Sequence, residues 1–317
     1  MPIEIAGFAH VNLNCRDLAR SRHFYEQALG LAARVHTDPA PQDCRAFGLS
    51  EPAQWDAWML AHAELGTPGC ALDLLQWLRP EPLPREGTEP GRLGLRALGF
   101  EVPDLVRARE RIEAHGGRAA GAEAAEAFGC AAWDPEGSPL WLRPGRHARL
   151  SFVELGVSDL ERSLRFYAEV LGLEAGSGPV AQPVQASGAG LREDGECRVA
   201  ALGLRGDASG FRVALTRWQR PAPHGRAPRD AHREGLYRMA LLASDLDRRH
   251  AELRALGVAD LSAPTWLDLG PSCPAPRCRA LFFRDPDGTC LELIDASAEG
   301  ARSEPQESGD QRSDPVR

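Results

Sequence analysis

The chain has 317 residues, 43% hydrophobic and 26% charged, with a net charge of −8, a soluble globular composition with room for two domains of ordinary size. Its acidic balance and scattered arginines exclude a phosphate-backbone binder, whose mark is a basic patch. No apolar run approaches the ~18–20 residues of a bilayer span, Met1-Pro2-Ile3-Glu4 lacks the regions of a signal peptide, and eight dispersed cysteines suit reduced thiols; the expectation is a cytoplasmic protein with neither nucleic acid nor membrane as partner.

In chain order, Ile5–Asn14 alternates apolar residues like a strand. A helix follows, with Asp17 as N-cap and Gly30 at the C′ position, where a positive φ suits glycine. Strand-like runs come at Arg45–Leu49, Ala57–Ala61 and Cys70–Trp77, and then a Pro/Glu-rich loop at Arg79–Pro90. Leu95–Val102 reads as a strand, and Asp104 starts a helix that Gly116-Gly117 ends. The same succession returns: strand Phe152–Val157, helix Asp159–Leu171, strand Phe211–Trp218, loop Gln219–Glu234, strand Leu236–Ala243, helix Asp245–Leu256 and strand Cys290–Ile294. From 297 to 317 the chain is a polar Ser/Glu/Asp/Arg/Pro tail, expected to be disordered.

The succession is a duplication. D-L-A-R-S-R-H-F-Y-E-Q-A-L-G-L from Asp17 reappears as D-L-E-R-S-L-R-F-Y-A-E-V-L-G-L from Asp159, an offset of 142, and D-P-E-G at Asp134 answers D-P-D-G at Asp285, an offset of 151. Asp104 and Asp245 are 141 apart, so the second strand–helix pairs are in register too. Four strand–helix–strands modules result, about 4–80, 91–143, 148–221 and 234–296, in two domains, 4–143 and 148–296, joined near Arg143–Arg146. The Phe-Tyr pairs read as helix-to-sheet packing, and the D-P-x-G segments as turns.

H-V-N-L-N-C-R-D-L-A-R-S-R-H-F-Y-E-Q-A-L-G-L, L-D-L-L-Q-W and F-F-R-D-P-D-G-T-C-L-E-L-I resemble the vicinal oxygen chelate superfamily, which includes glyoxalase I, extradiol dioxygenases, fosfomycin-modifying enzymes and bleomycin-resistance proteins. The resemblance covers roughly residues 5–296 and implies an α+β fold of paired βαβββ modules in two tandem domains. It also implies where a metal would be held: on the first strand (usually His) and last strand (usually Glu) of each module, with two modules lining one cupped site.

Carried over position by position, the first module offers His10 and Asp73, the second Ala97 and Trp141, the third Phe152 and Ala214, and the fourth Arg238 and Glu292. Three ligand-type residues remain: His10, Asp73 and Glu292. Pairing within each half would leave two of them in one site and one in the other. Pairing of the first module with the fourth would bring all three together with Arg238, leaving Ala97, Trp141, Phe152 and Ala214 to form an apolar pseudo-site. A one-residue slip would turn Arg96 inward in place of Ala97.

The resemblance then implies a divalent-metal-dependent enzyme (lyase, isomerase or oxygenase) acting on a small oxygenated metabolite, as a monomer or homodimer. His10, Asp73 and Glu292 would hold Fe, Mn, Ni, Co or Zn. Arg238 would orient substrate or balance charge, and Trp141 and Phe152 would border a pocket. The alternative is a metal-free binder that sequesters a drug or secondary metabolite. No nucleophile elbow, P-loop or dinucleotide fingerprint is present in the sequence.

Overall fold

The computed structural model describes residues 1–62, 69–120, 128–176, 178–184 and 193–295. The expected disordered tail at 297–317 lies outside the described residues. The first module runs β1 (Gly7–Asn14), α1 (Leu18–Gln27), β2 (Leu31–Thr37), β3 (Gln54–His62) and β4 (Ala71–Arg79). The second is β5 (Gly94–Val102), α2 (Leu105–Ala114), β6 (Arg118–Ala119), β7 (Cys130–Trp133) and β8 (Pro139–Pro144). The third is β9 (Arg149–Gly156), α3 (Leu160–Glu169), β10 (Glu174–Ala175), β11 (Val180–Val184), β12 (Gly195–Gly203) and β13 (Arg212–Arg220). The fourth is β14 (Gly235–Leu242), α4 (Leu246–Ala255), β15 (Thr265–Asp268), β16 (Arg277–Arg284) and β17 (Cys290–Asp295).

Local signals account for the helices. Each is entered through an aspartate whose carboxylate accepts the backbone N–H three residues on: Asp17, Asp104, Asp159 and Asp245. Gly30 and Gly116, just past α1 and α2, have φ of 69° and 85°. The expected strand at Arg45–Leu49 is instead a single 3-10 turn, Arg45–Phe47. Its apolar side chains have no strand partner; they lean on the core beneath, with the Phe47 ring 4.3 Å from Phe282.

Strand pairing crosses the halves of the chain. One sheet of eight strands has the order β15-β16-β17-β14-β1-β4-β3-β2, and another of nine has β10-β12-β13-β9-β5-β8-β7-β6, with β11 paired to β12. Thus β1 of the first module lies antiparallel to β14 of the fourth, and β5 of the second antiparallel to β9 of the third. The D-P-x-G turns tie the modules of each half together from outside the sheets. The hydroxyls of Tyr25 and Tyr167 donate to Asp134 and Asp285 at 3.0 and 3.1 Å, and Glu136 accepts the N–H groups of Arg16 and Asp17. Leu13, Phe24, Leu98, Leu155 and Leu291, from strands and helix alike, share one continuous core cluster. No helix among the described residues is long and apolar enough to cross a membrane.

Candidate functional site

The eight-stranded sheet curls until its two edge strands meet. The backbone N–H of Asp38, just past β2, donates to the Leu269 carbonyl at 3.1 Å, and the Asp38 carboxylate accepts the Ser272 N–H at 2.8 Å. That backbone hydrogen bond is the main reason the Asp38 carboxyl sits below its ordinary range. Gln42 accepts from the Asp268 N–H at 3.0 Å across the same seam. The curl encloses a cleft of about 1280 Å³ with Phe47, Trp55, Met59, Trp77, Leu267 and Ile294 in its walls.

At the base of the cleft stand His10, Asp73, Arg238 and Glu292, each 6% exposed or less. The pairing of the first module with the fourth, one of the two arrangements open from sequence, brings these four together. They come from four adjacent strands: β17, β14, β1 and β4. Register explains the convergence, since Asn12 is opposite Asp73 and Ala240 opposite Glu292. An extra residue in β14 sets Tyr237 and Arg238 together against Asn12, so both turn to the concave face.

The guanidinium lies between the carboxylates. Arg238 Nε donates to Glu292 Oε2 at 2.8 Å and its Nη2 to Asp73 Oδ2 at 2.9 Å. Asn12 Nδ2 adds a 3.1 Å bond to the same Asp73 oxygen. His10 Nε2 is 3.5 Å from Glu292 Oε2 and 3.8 Å from Asp73 Oδ2, and has no hydrogen-bond partner. Burial pushes the Glu292 carboxyl up, but Arg238 and His10 outweigh it and hold the group below its ordinary range. Burial would likewise lower Arg238, yet the two carboxylates raise it. The result is an internal triplet of two carboxylates bridged by one guanidinium.

This arrangement does not fit a divalent ion as it stands. His10, Asp73 and Glu292 approach one another as three ligands would, but the two carboxylate oxygens nearest His10 are those bound by Arg238. The guanidinium supplies the positive charge between them. Among the described residues no three His, Cys, Asp or Glu side chains are disposed to hold a metal.

The other four carried-over positions meet at the centre of the nine-stranded sheet. Ala97, Trp141, Phe152 and Ala214 share a core cluster with Phe128 and Trp218. Trp141 and Phe152, expected as pocket walls, are each 2% exposed and packed within this cluster, away from the cleft. The Phe152 ring covers Gly99, where a Cβ would come within 2.0 Å of it.

The pseudo-site is not purely apolar. Arg96 and Glu154, 6% and 0% exposed, form a bidentate ion pair, with Arg96 Nε donating to Glu154 Oε1 at 2.7 Å. The indole N–H groups of Trp141 and Trp218 donate to the same carboxylate at 2.6 and 3.4 Å. Ala97 stays in its expected register opposite Glu154, while an extra residue in β5 turns Arg96 inward beside it. Arg96 is the residue that a one-residue slip would turn inward, and Glu154 could have been found as Asn12 shifted by 142, a charge in an otherwise apolar strand.

Comparison with known proteins matches this picture. Maize (Zea mays) glyoxalase I superposes with a TM-score of 0.61 at 19% identity, over 91% of this chain and 92% of that one. A putative dioxygenase from Bacillus subtilis gives 0.58 at 14%, over 92% and 86%. At these identities the likeness is one of fold. A search of curated protein sequences finds no match. The sequence profile of the Glyoxalase/Bleomycin resistance protein/Dioxygenase superfamily matches residues 7–141 and again 149–293. With both repeats matched and the modules folded into two curled sheets, the chain belongs to that superfamily.

Proposed function

We propose that the chain is a metal-independent binding protein that encloses a small, largely apolar molecule in the cleft of the eight-stranded sheet. The observation that carries this reading is Arg238 bridging Asp73 and Glu292. A fixed guanidinium takes the place a divalent ion would need, in a cleft whose volume and aromatic walls suit an organic ligand. Elemental analysis after reconstitution with Fe, Mn, Ni, Co and Zn tests it. The expected result is no stoichiometric metal and no metal-dependent rise in melting temperature. One bound ion per chain, lost in His10→Ala, would overturn it.

A second reading rests on the unpartnered Nε2 of His10. Here the chain is a divalent-metal-dependent lyase, isomerase or oxygenase acting on a small oxygenated metabolite, with His10, Asp73 and Glu292 as ligands. Arg238 would leave the carboxylates to orient the substrate. The same measurement decides between the two, because the second requires metal uptake that depends on His10.

A further inference from the structure

The cleft has two electrically different ends. At its base two carboxylates face one guanidinium, all nearly inaccessible to solvent. At its mouth, among the described residues, Arg34, Arg146 and Arg149 face Glu101 and Asp207, and His62 and His147 meet edge to face with ring centroids 5.5 Å apart. The two mouth carboxylates are already engaged. Glu101 accepts from Arg149 Nε at 2.8 Å, and Asp207 accepts from the N–H and hydroxyl of Ser209 at 3.0 and 2.6 Å. Arg34 donates to the His62 carbonyl at 2.8 Å. Arg146, on the segment joining the two halves, is exposed and lines the cleft, and among the described residues it has no ion pair with a carboxylate.

Resting on the binding reading above, we infer that the ligand is an apolar, ring-bearing monoanion. Its body lies among Phe47, Trp55, Met59 and Trp77, and its acidic group sits at the mouth beside Arg146 and His147. The base sets the orientation. With two carboxylates set against one guanidinium, it disfavours a second acid in a low-dielectric pocket, where charges act strongly. At the mouth a guanidinium can take a carboxylate, sulfonate or phosphate by paired N–H donation. A dianion with acids at both ends, or a cation of the same shape, is the poorer fit.

Two fluorescent probes with one skeleton separate the charge effect from the apolar one: anilinonaphthalene sulfonate and its uncharged parent, phenylnaphthylamine. The intact chain should bind both, the sulfonate more tightly, with an advantage that shrinks as salt is raised. Arg146→Ala should weaken the sulfonate ~5-fold, and Arg146→Glu should weaken it further, while neither changes the parent. Met59→Trp, which fills the cleft, should weaken both probes.

Equal affinity of the intact chain for both probes, or an unchanged ratio in Arg146→Glu, overturns the inference while leaving the binding reading intact. Sulfonate binding undiminished in Met59→Trp places it elsewhere on the surface and also overturns the inference. If the intact chain binds neither probe, the binding reading fails with it.

Discussion

Replacing Arg238 by methionine removes the charge and keeps much of the length of its stem. Asp73 and Glu292 are then left at 1% exposure each, without the two hydrogen bonds of 2.9 and 2.8 Å that now neutralise them. Unit charges about 4 Å apart attract by ~4 kcal/mol at an effective dielectric of about 20. Removing one partner of a buried ion pair costs about 3–5 kcal/mol once relaxation is allowed. The 3.1 Å bond from Asn12 to Asp73 remains and returns part of that, so the lower end of the range is expected. The melting temperature at neutral pH should fall by roughly 6–12 °C, taking about 2–4 °C per kcal/mol.

The pH dependence fixes the cause. In the intact chain Glu292 titrates below its ordinary range, so its stabilisation is present at neutral pH and is lost as pH falls through the folded value. In the variant, desolvation and the neighbouring carboxylate raise the folded values, so its stability increases as pH falls. The two melting curves should therefore converge in acid. Calorimetry between neutral and acidic pH measures this, and adding Asp73→Asn and Glu292→Gln to the variant should restore most of the loss. A variant as stable as the parent at neutral pH, or a deficit that does not shrink in acid, would refute the reading of these residues as an internally neutralised triplet.

Arg238→His converts the bridge into a ligand-type residue beside His10, Asp73 and Glu292. The variant should gain stability on addition of zinc or nickel, ~2.7 kcal/mol at a hundredfold excess over the dissociation constant, whereas the parent should not; thermal melts with and without metal read this directly. Arg96→Met should destabilise by about 3–5 kcal/mol yet leave ligand affinity in the cleft unchanged, because its partner Glu154 belongs to the other sheet; a large loss of probe binding in folded protein would contradict the separation of the two centres. Burial is the main cause of the rise of Asp285 from an ordinary 3.8 to about 6. A raised folded value stabilises below pH 3.8 and loses its effect as pH climbs through 6, a span worth about 3 kcal/mol. Asp285→Asn should flatten that part of the stability–pH profile, and an unchanged profile would remove Asp285 as its source.

The elements legible in the sequence are those that local chemistry determines. An aspartate N-cap and a glycine beyond the last turn mark helix ends wherever the rest of the chain lies, and all four helices begin beside their expected aspartates. The meeting of β1 with β14 joins positions more than 220 residues apart, and nothing local encodes it. Only the distribution of ligand-type residues pointed to it. Arg45–Leu49 misled because a short apolar run looks the same whether it pairs as a strand or caps a core. At Arg96 and Arg238 the inserted residue breaks strict alternation, so counting by twos does not predict that neighbours will share a face. Glu154 escaped because it stands at the position of Asn12, which is not a ligand position in the resemblance.

The two sheets solve one electrostatic problem in different surroundings, and the contrast supports the proposed site. Each has a guanidinium–carboxylate pair at its centre, with the carboxylate and the arginine set on different positions. In the nine-stranded sheet the carboxylate is on the first strand of its module, at Glu154, and the place of Glu292 is filled by Trp141, whose indole donates to it. Phe152 stands where the other sheet has His10, and its ring closes over Gly99. Among the described residues that pair is packed within aromatic side chains and stands apart from the large cleft. In the eight-stranded sheet the equivalents of Phe152 and Trp141 are His10 and Glu292, so the polar groups remain at the bottom of an open cleft. A histidine nitrogen without a partner is costly in a sealed core. At the base of a cleft it is a group that a ligand can satisfy. The eight-stranded sheet is thus the one with space above its polar residues, and Arg238 is the residue that neutralises their carboxylates.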